Sequence, residues 1–341
     1  MSGELIIHRV GSVATVQDMG RPGYLEFGLS RGGAVDRLAI AEGAALLGQS
    51  EMLAALEMVG MGGEFEATRD LRIALTGAPM DAVIGDTRLQ WNASHLLPAG
   101  ERLFIGAVET GVYGYLNIGG GFAMQRLMGS QSVHLTAGIG KPVTSGQCLA
   151  LGADKTSRTG MKLVVESRFA GGIIRVVPSL QTDNFTTCDL ERFQATEFRR
   201  DNRGNRMGIR LVSQSGAFHI ATDLDVLSEV IVPGDIQITG DGTPYVLLSE
   251  CQTTGGYPRI GSVLPCDLPR VAQSKPGTIL RFNFVSLATA VEIEQRCAST
   301  FHDLQRRVTP MIRDPHHISD LSSYQLIGGV TAGDDLDWEK F

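Results

Sequence analysis

The sequence predicts a mainly β protein made of two β-rich halves with a few short helices. Three observations predict it. Short apolar runs, many of them β-branched, recur along the whole chain and are cut by Gly, Pro, Asn and Asp. Glycine is abundant, at 42 of 341 residues, while aromatics make up only 6%, which suits many tight turns between short strands. A weak internal echo pairs LPAGERLFIG (97–106) with SKPGTILRFN (274–283), each with a Pro, a Gly and a strand leading out. A chain of this length exceeds one ordinary core. The expected domains are therefore 1–155 and 156–341, the second carrying a C-terminal helix and tail, with LGADKTSRTGMKL (151–163) as the polar linker.

In chain order the expected strands are LIIH (5–8), SVATV (12–16), LRIAL (71–75), RLFIGA (102–107), YGYLNI (113–118), GIIRVV (172–177), DIQIT (235–239), YVLLS (245–249) and TILRFNF (278–284). Four helices are expected. Asp36–Leu47 has an aspartate cap and Gly48 just past its end. Asp189–Arg200 is short and polar, and Asp267–Gln273 is a single turn with Asp267 as cap and Pro269 in the first turn. Ser286–Arg307 is the longest, with Leu287, Ala290, Val291, Cys297, Phe301 and Leu304 at helical spacing. The tail after Arg307 is polar up to YQLIGGV (324–330) and then acidic.

Net charge is −7 and the pI is near 5.5, with no Lys/Arg cluster, so nucleic acid and anionic membrane are poor partners. No run approaches the roughly 18 apolar residues of a spanning helix, and MSGELIIHRVG lacks the layout of a secretion signal. A cytoplasmic location is the expectation. Five widely spaced cysteines form no C-x-x-C and are expected as buried, reduced thiols. His316-His317 has no third ligand nearby, so no metal is expected.

Four stretches combine glycine with polar side chains. VQDMGRPGYLEFGLSRGGAVDR (16–37) is a structured loop in which Gln17, Asp18, Arg21, Gly23, Tyr24, Arg31 and Asp36 supply carboxylates, cations and donors; Asp36 doubles as a helix cap. It is not a P-loop, because no G-K-[ST] follows. DNRGNRMGIRL (201–211) offers Arg203 and Arg206 as a bidentate anion clamp or reads as a surface turn. GDIQITGDGTPYVLL (234–248) is a hairpin around GDG. SECQTTGGYPRIG (249–261) is longer than a turn needs. Its Gln252, Thr253 and Thr254 are neutral donors and acceptors, Gly255 and Gly256 let backbone crowd a ligand, Tyr257 can donate or stack, and Pro258 fixes the exit. Such a loop suits an amide- or urea-like group; an unusually decorated hairpin is the other reading. Arg259 and Asp267 lie near in sequence and could add charge. GSQS (129–132) is not a nucleophile elbow, and no Ser-His-Asp set has recognisable spacing.

Taken in order, VQDMGRPGY, GLSRGGAVDR, AALE (54–57), LTGAPMD (75–81), YLNIGGGF (115–122), GSQS, RMGIRL, VIVPGDIQITGDGTPYVLL, QTTGGYPRIGSVLPCDLPRVAQ, KPGTILRF and LIGGV make the chain resemble the allophanate hydrolase subunit 2, or biotin-dependent carboxyltransferase, family. That family includes the C-type subunit of a bacterial ATP-dependent 5-oxoprolinase, half of the carboxyltransferase region of urea carboxylase, and an antagonist of a sporulation-kinase inhibitor. The resemblance implies two cyclophilin-like β-barrels. It implies a heterocomplex with a smaller subunit of the B or 1 type and, for the oxoprolinase, a third component. The expected activity is opening of the lactam of 5-oxoproline to L-glutamate with ATP supplied through the complex. The alternatives are carboxyl transfer from biotin on a partner carrier to a urea-like amide, or non-catalytic binding of a kinase-inhibitor partner. Within that reading Gln252, Thr253, Thr254 and Tyr257 position the amide, Arg21 and Arg206 neutralise anionic charge, and Asp18 or Asp267 handles the proton. Gln131 stands where members usually carry arginine, which removes one potential anion clamp.

Overall fold

The computed structural model describes residues 3–220 and 227–312. YQLIGGV, the LIGGV match, His316-His317 and the acidic tail lie outside them. All nine expected strands are present, and the structure is mainly β with few helices.

The first half folds as two facing sheets. One is ordered Cys148–Ala150, Glu4–Val10, Met61–Ala67, Arg102–Val108, Met80–Ile84, Thr87–Arg88. The other is ordered Ala14–Gln17, Ala55–Val59, Tyr113–Ile118, Leu71–Gly77, Ala93–Leu97, Met161–Lys162, Thr309–Pro310. Leu5, Ile7, Phe65, Leu103 and Ile105 from one sheet meet Leu56, Ile73, Leu75 and Leu116 from the other in one apolar core. This alternation explains why the strands read clearly in sequence: every second side chain is in the core. The two last strands come from residues beyond 155, so the chain returns to this sheet at both ends of the second half.

The second half is a closed seven-stranded barrel, ordered Gly172–Val177, Arg259–Val263, Asp235–Ile238, Pro244–Leu247, Gly208–Val212, Phe198–Gly204, Ile279–Phe284. Its one parallel pairing, Gly172–Val177 with Ile279–Phe284, closes the ring. Helix α2 (Thr187–Ala195), the second helix after α1 (Arg37–Leu46), plugs the barrel through Phe193. The Phe193 ring lies 5.0 Å from Phe198, 5.6 Å from Phe218 and 5.3 Å from Phe282. This core does not end at the barrel. It continues into Ala34, Val35, Ile40, Tyr113 and Tyr115 of the first half.

Three helix expectations need correction. The segment expected as Asp189–Arg200 is helical only to Ala195; Thr186 caps it and Arg200 belongs to the strand Phe198–Gly204, where Phe198 and Arg199 pair with Leu280 and Ile279. Strand pairing overrides a sequence that reads as polar helix. In α3 (Leu268–Gln273) the Asp267 side chain does not cap; Arg175 takes both its oxygens instead. The long helix is α4 (Leu287–His302), capped by Ser286 and broken at Asp303 before a separate turn, Leu304–Arg307. Its buried residues are Ala290 and Ile293, whereas Leu287 and Val291 are exposed. The cysteines also depart from expectation. Cys148 and Cys188 are exposed, Cys266 and Cys297 are half-buried, Cys251 alone of the five is buried, and all five are free.

The 151–163 segment is tied down. Asp154 takes two hydrogen bonds of 2.7 Å from Arg72, and Thr156 donates to the Leu47 carbonyl at 3.1 Å.

Candidate functional site

Three loops meet at the seam between the halves: 17–37, 129–137 and 248–258. The first doubles back on itself at two glycines with positive φ, Gly20 at +79° and Gly33 at +81°. A Cβ on Gly33 would sit 2.6 Å from the Gly20 nitrogen, so only glycine allows the crossing. Gly32 N–H then donates to the Ser249 carbonyl at 3.0 Å and joins the first loop to the third. The third loop is not a hairpin. Its flanking strands, Pro244–Leu247 and Arg259–Val263, lie on opposite sides of Asp235–Ile238, so the loop crosses that strand's end. Thr254–Gly255 pairs with Glu229–Val230 on the way.

Asp18 anchors the second loop. Its carboxylate accepts from Gly20 N–H at 2.8 Å, Ser130 Oγ at 2.6 Å, Gln131 N–H at 2.7 Å and Ser132 Oγ. Burial alone would raise its pKa, but these donors outweigh it and hold the group below the ordinary carboxylate value. Gln131, at the position where arginine was expected, donates through Nε2 to the carbonyls of Phe122 and Met124 at 2.9 and 2.7 Å. Gln17 is buried, and its Nε2 bonds Thr15 Oγ1 and the Val133 carbonyl at 2.9 and 3.0 Å.

Beneath these loops runs a buried chain of charges that the sequence did not announce. Arg206 is clamped between Glu57 and Glu250, and also donates to the Gly33 carbonyl. Glu57 accepts from Tyr115 Oη at 2.7 Å, and Tyr115 Oη accepts from Asp36 N–H at 2.9 Å. Asp36 accepts from Arg168 Nε at 2.7 Å and Gln273 Nε2 at 2.8 Å, and caps α1 through Ala39 N–H. Arg168 finishes on Glu42 with contacts of 2.9 and 2.8 Å. Burial works against the charge on both arginines, yet the carboxylates outweigh it and push their pKa values up. Arg206 is thus used internally and has no free face for the anion clamp read from its sequence context.

Glu250 also faces His134. His134 Nε2 lies 2.9 Å from Ser30 Oγ, and its Nδ1 lies 3.8 Å from Glu250 Oε2. All three residues are buried. The set looks like a Ser-His-Glu relay, but the hydrogen bonds run the wrong way. Ala137 N–H donates to His134 Nδ1 at 3.2 Å, so the ring proton sits on Nε2 and is donated to Ser30. A base for Ser30 would need Nε2 unprotonated. Burial lowers the His134 pKa and favours this neutral form. Arg21, 1% exposed, donates to the Ser132 carbonyl while its Nε and one terminal nitrogen have no partner among the described residues.

The predicted residues therefore separate into three places. Gln17, Asp18, Arg21 and Arg206 gather at the seam. Gln252, Thr254, Gly256 and Tyr257 are exposed above it, with Thr253, Gly255 and Pro258 half-buried. Gly23 is exposed and Tyr24 half-buried, its ring 6.3 Å from Phe27. Asp267 lies elsewhere, on a cavity of about 490 Å3 walled by Glu42, Arg168, Arg175 and α4, and Asp36 is fully buried behind it on Arg168. A second cavity, of about 530 Å3, opens on the other flank of the seam beside Arg206 and Glu250. Ser30, Glu57, His134 and Glu250 were missed. Glu57 and Glu250 stand inside recognisable motifs, AALE and SECQTTGG, but a glutamate beside an apolar run carries no mark of its buried partner.

Residues 27–284 match the family described as carboxyltransferase domain, subdomain A and B. The chain belongs to this family. The C-type subunit of the 5-oxoprolinase of Haemophilus influenzae is 32% identical over 291 residues, covering 84% of this chain and 93% of that protein. That of Escherichia coli is 33% identical over 310 residues, covering 89% and 98%. The urea amidolyase of Lachancea kluyveri is 23% identical, and the match spans 84% of this chain but 17% of that protein. The solved K. lactis urea amidolyase superposes with a TM-score of 0.78 at 21% identity, over 92% of this chain and 21% of that one. At that identity the likeness speaks for the carboxyltransferase-family fold alone. Among the described residues no group of three or more His, Cys, Asp or Glu is placed to hold a metal, and no helix is long and apolar enough to cross a membrane.

Proposed function

We propose that the chain acts as the C-type subunit of an ATP-dependent 5-oxoprolinase, working with partner subunits to open the lactam of 5-oxoproline to L-glutamate. The observation that carries this reading is end-to-end correspondence: the two relatives of that name match over 93% and 98% of their own length. The partners in this reading are a smaller subunit of the B type and a third component, and the complex is cytoplasmic. The two-domain division at about residue 155 belongs to the same proposal.

The residues of this chain would bind and orient. The exposed edge of Gln252, Thr253, Thr254 and Tyr257, with Gly255, Gly256 and Pro258 shaping the backbone, offers uncharged donors and acceptors suited to a lactam N–C=O. Gln17, Gly23 and Tyr24 border it. Arg21 supports the anionic side from below, because two of its nitrogens have no partner among the described residues. Asp18 and Arg206 hold the loops in register, and Asp36 and Asp267 hold α1 and α3, since each of these charges is already answered by the protein. This reassigns Asp18 and Asp267 from proton transfer to positioning.

Arg168, Arg175 and Arg206 are each engaged by carboxylates and are not free to face ATP's three phosphates. ATP therefore belongs with the partners in this reading, and no step here is routed through it. Carboxyl transfer to a urea-like amide, from biotin on a partner carrier, is the second reading, favoured by the match to urea amidolyase.

The test is 5-oxoproline-dependent ATP hydrolysis and glutamate release by the chain purified with its partner subunits. Turnover that requires this chain supports the first reading. Silence from a stably assembled complex, with carboxyl transfer to urea-like amides present, moves the function to the second.

A further inference from the structure

The 530 Å3 cavity contains a cation that nothing in the described residues answers. Arg200 lines it and is only 6% exposed. Its side chain makes no hydrogen bond and no ion pair among the described residues, and its Nε is enclosed without a partner. Burial pulls its pKa down, and nearby groups offset only part of that. An unpaired buried guanidinium destabilises the fold, so an absent partner is worth seeking.

The surroundings describe that partner. Lys275 also lines the cavity, and its ammonium meets only backbone carbonyls, Glu109 O at 2.7 Å and Val108 O at 3.5 Å. Glu250, the cavity's one acidic side chain, is already matched by Arg206. The cavity is therefore short of negative charge. Its walls are apolar, with Val13, Val59, Val112, Leu135 and Met207. Tyr113, whose hydroxyl is unpartnered among the described residues, adds a neutral donor. Gly204 makes the room: a Cβ there would lie 3.0 Å from an Arg200 terminal nitrogen. The volume falls within the range of about 300–1,000 Å3 typical of small-molecule sites.

We propose that this cavity binds a small monocarboxylic acid with a compact apolar body, with Arg200 holding the carboxylate and the valine-rich wall packing the body. A planar guanidinium suits a carboxylate bidentately, and Arg200 is the lining cation whose side chain has no hydrogen-bond partner among the described residues, which suits one carboxylate rather than a phosphate chain. If the function proposed for the chain holds, the acid is 5-oxoproline, held here apart from the Gln252–Tyr257 edge, none of whose residues lines this cavity; the assignment to that acid rests on that reading, while the carboxylate site does not.

The experiment is calorimetric titration of the full chain with 5-oxoproline, with 2-pyrrolidinone (the same ring without its carboxylate) and with a panel of small monocarboxylates. It is repeated on Arg200→Gln and Leu135→Trp. Leu135 is 38% exposed, so the second variant narrows the cavity without touching the buried arginine and stands in if Arg200→Gln fails to fold. Expected are binding of a carboxylate, no binding of 2-pyrrolidinone, and at least tenfold weakening in both variants with unchanged melting temperature for Leu135→Trp. Equal affinity of wild type and folded Arg200→Gln overturns the anchor. No binding of any carboxylate, or equal binding of the ring without its carboxylate, overturns the site. Arg200-dependent binding of another acid, with no 5-oxoproline turnover by the complex, keeps the site and removes the oxoprolinase reading. Turnover by the complex, with Arg200-dependent binding of other acids but none of 5-oxoproline, keeps the oxoprolinase reading and the site and removes 5-oxoproline from it.

Discussion

Arg206 carries a full charge at 5% exposure, and Glu57 and Glu250 at 0% and 1% answer it. Arg206→Leu would leave two buried carboxylates facing each other. We expect a loss of about 3–5 kcal/mol in urea unfolding, and partial recovery when Glu57→Gln and Glu250→Gln are added. Asp18 makes a second, pH-dependent case. Asp18→Asn keeps the shape but points an amide at backbone or hydroxyl donors, and we expect about 1–3 kcal/mol of destabilisation at pH 7. Its folded pKa lies below the ordinary value of 3.8, so its contribution is complete above about pH 4 and is lost as pH falls through the lowered folded value. The gap between wild type and Asp18→Asn should be flat at neutral pH and narrow once the pH drops below about 4. A gap that widens on acidification contradicts the assignment. Asp18 and Arg21 were legible as residues that matter, because a dense run of glycines around charge is unusual. Their roles were not legible, because their partners Ser130, Gln131 and Ser132 lie more than a hundred positions away in sequence.

At the scale of elements, helix α1 shows how a local rule loses to packing. Gly43 sits mid-helix, where alanine would normally gain up to about 1 kcal/mol. Here a Cβ would lie 2.1 Å from Cγ and Oδ1 of Asn117. Asn117 cannot swing away cheaply, since its Nδ2 bonds Thr76 Oγ1 at 2.8 Å and the Ala74 carbonyl at 3.2 Å. Gly43→Ala should therefore destabilise by about 1–3 kcal/mol despite its better propensity, and Asn117→Ser should recover part of that in the double variant. A rise in melting temperature for Gly43→Ala alone would count against this packing. The strands were readable because alternation records a core directly. The end of α2 was not. Arg200 reads as the last residue of a polar helix, yet pairing of Phe198 with Leu280 draws it into a strand. That one boundary decided whether Arg200 pointed to solvent or into a cavity.

For the whole molecule, the seam is built as core rather than as a surface between independent domains. The barrel's apolar cluster runs without a break into Val35, Ile40, Tyr113 and Tyr115. The chain of charges from Glu250 to Glu42 crosses the same seam, and Gln273 of α3 clamps the first half by accepting from Val112 and Tyr113 N–H at 3.0 and 2.9 Å while donating to the Tyr113 carbonyl at 2.9 Å. Met161–Lys162 and Thr309–Pro310 add strands to the first half's sheet from beyond the crossing point. None of this shows in composition, where the two halves read as repeats joined by a polar segment. Opening the seam would uncover buried ions and apolar surface at once, and neither half could carry that cost alone. The halves should therefore unfold together. In urea, hydrogen exchange of the strands Tyr113–Ile118 and Asp235–Ile238 should rise at the same denaturant concentration, within a single transition. Arg206→Leu should shift both strands equally. Separate midpoints for the two strands in the wild type would show that the seam is an interface between two stable domains, and would relocate the effect of Arg206 to one of them.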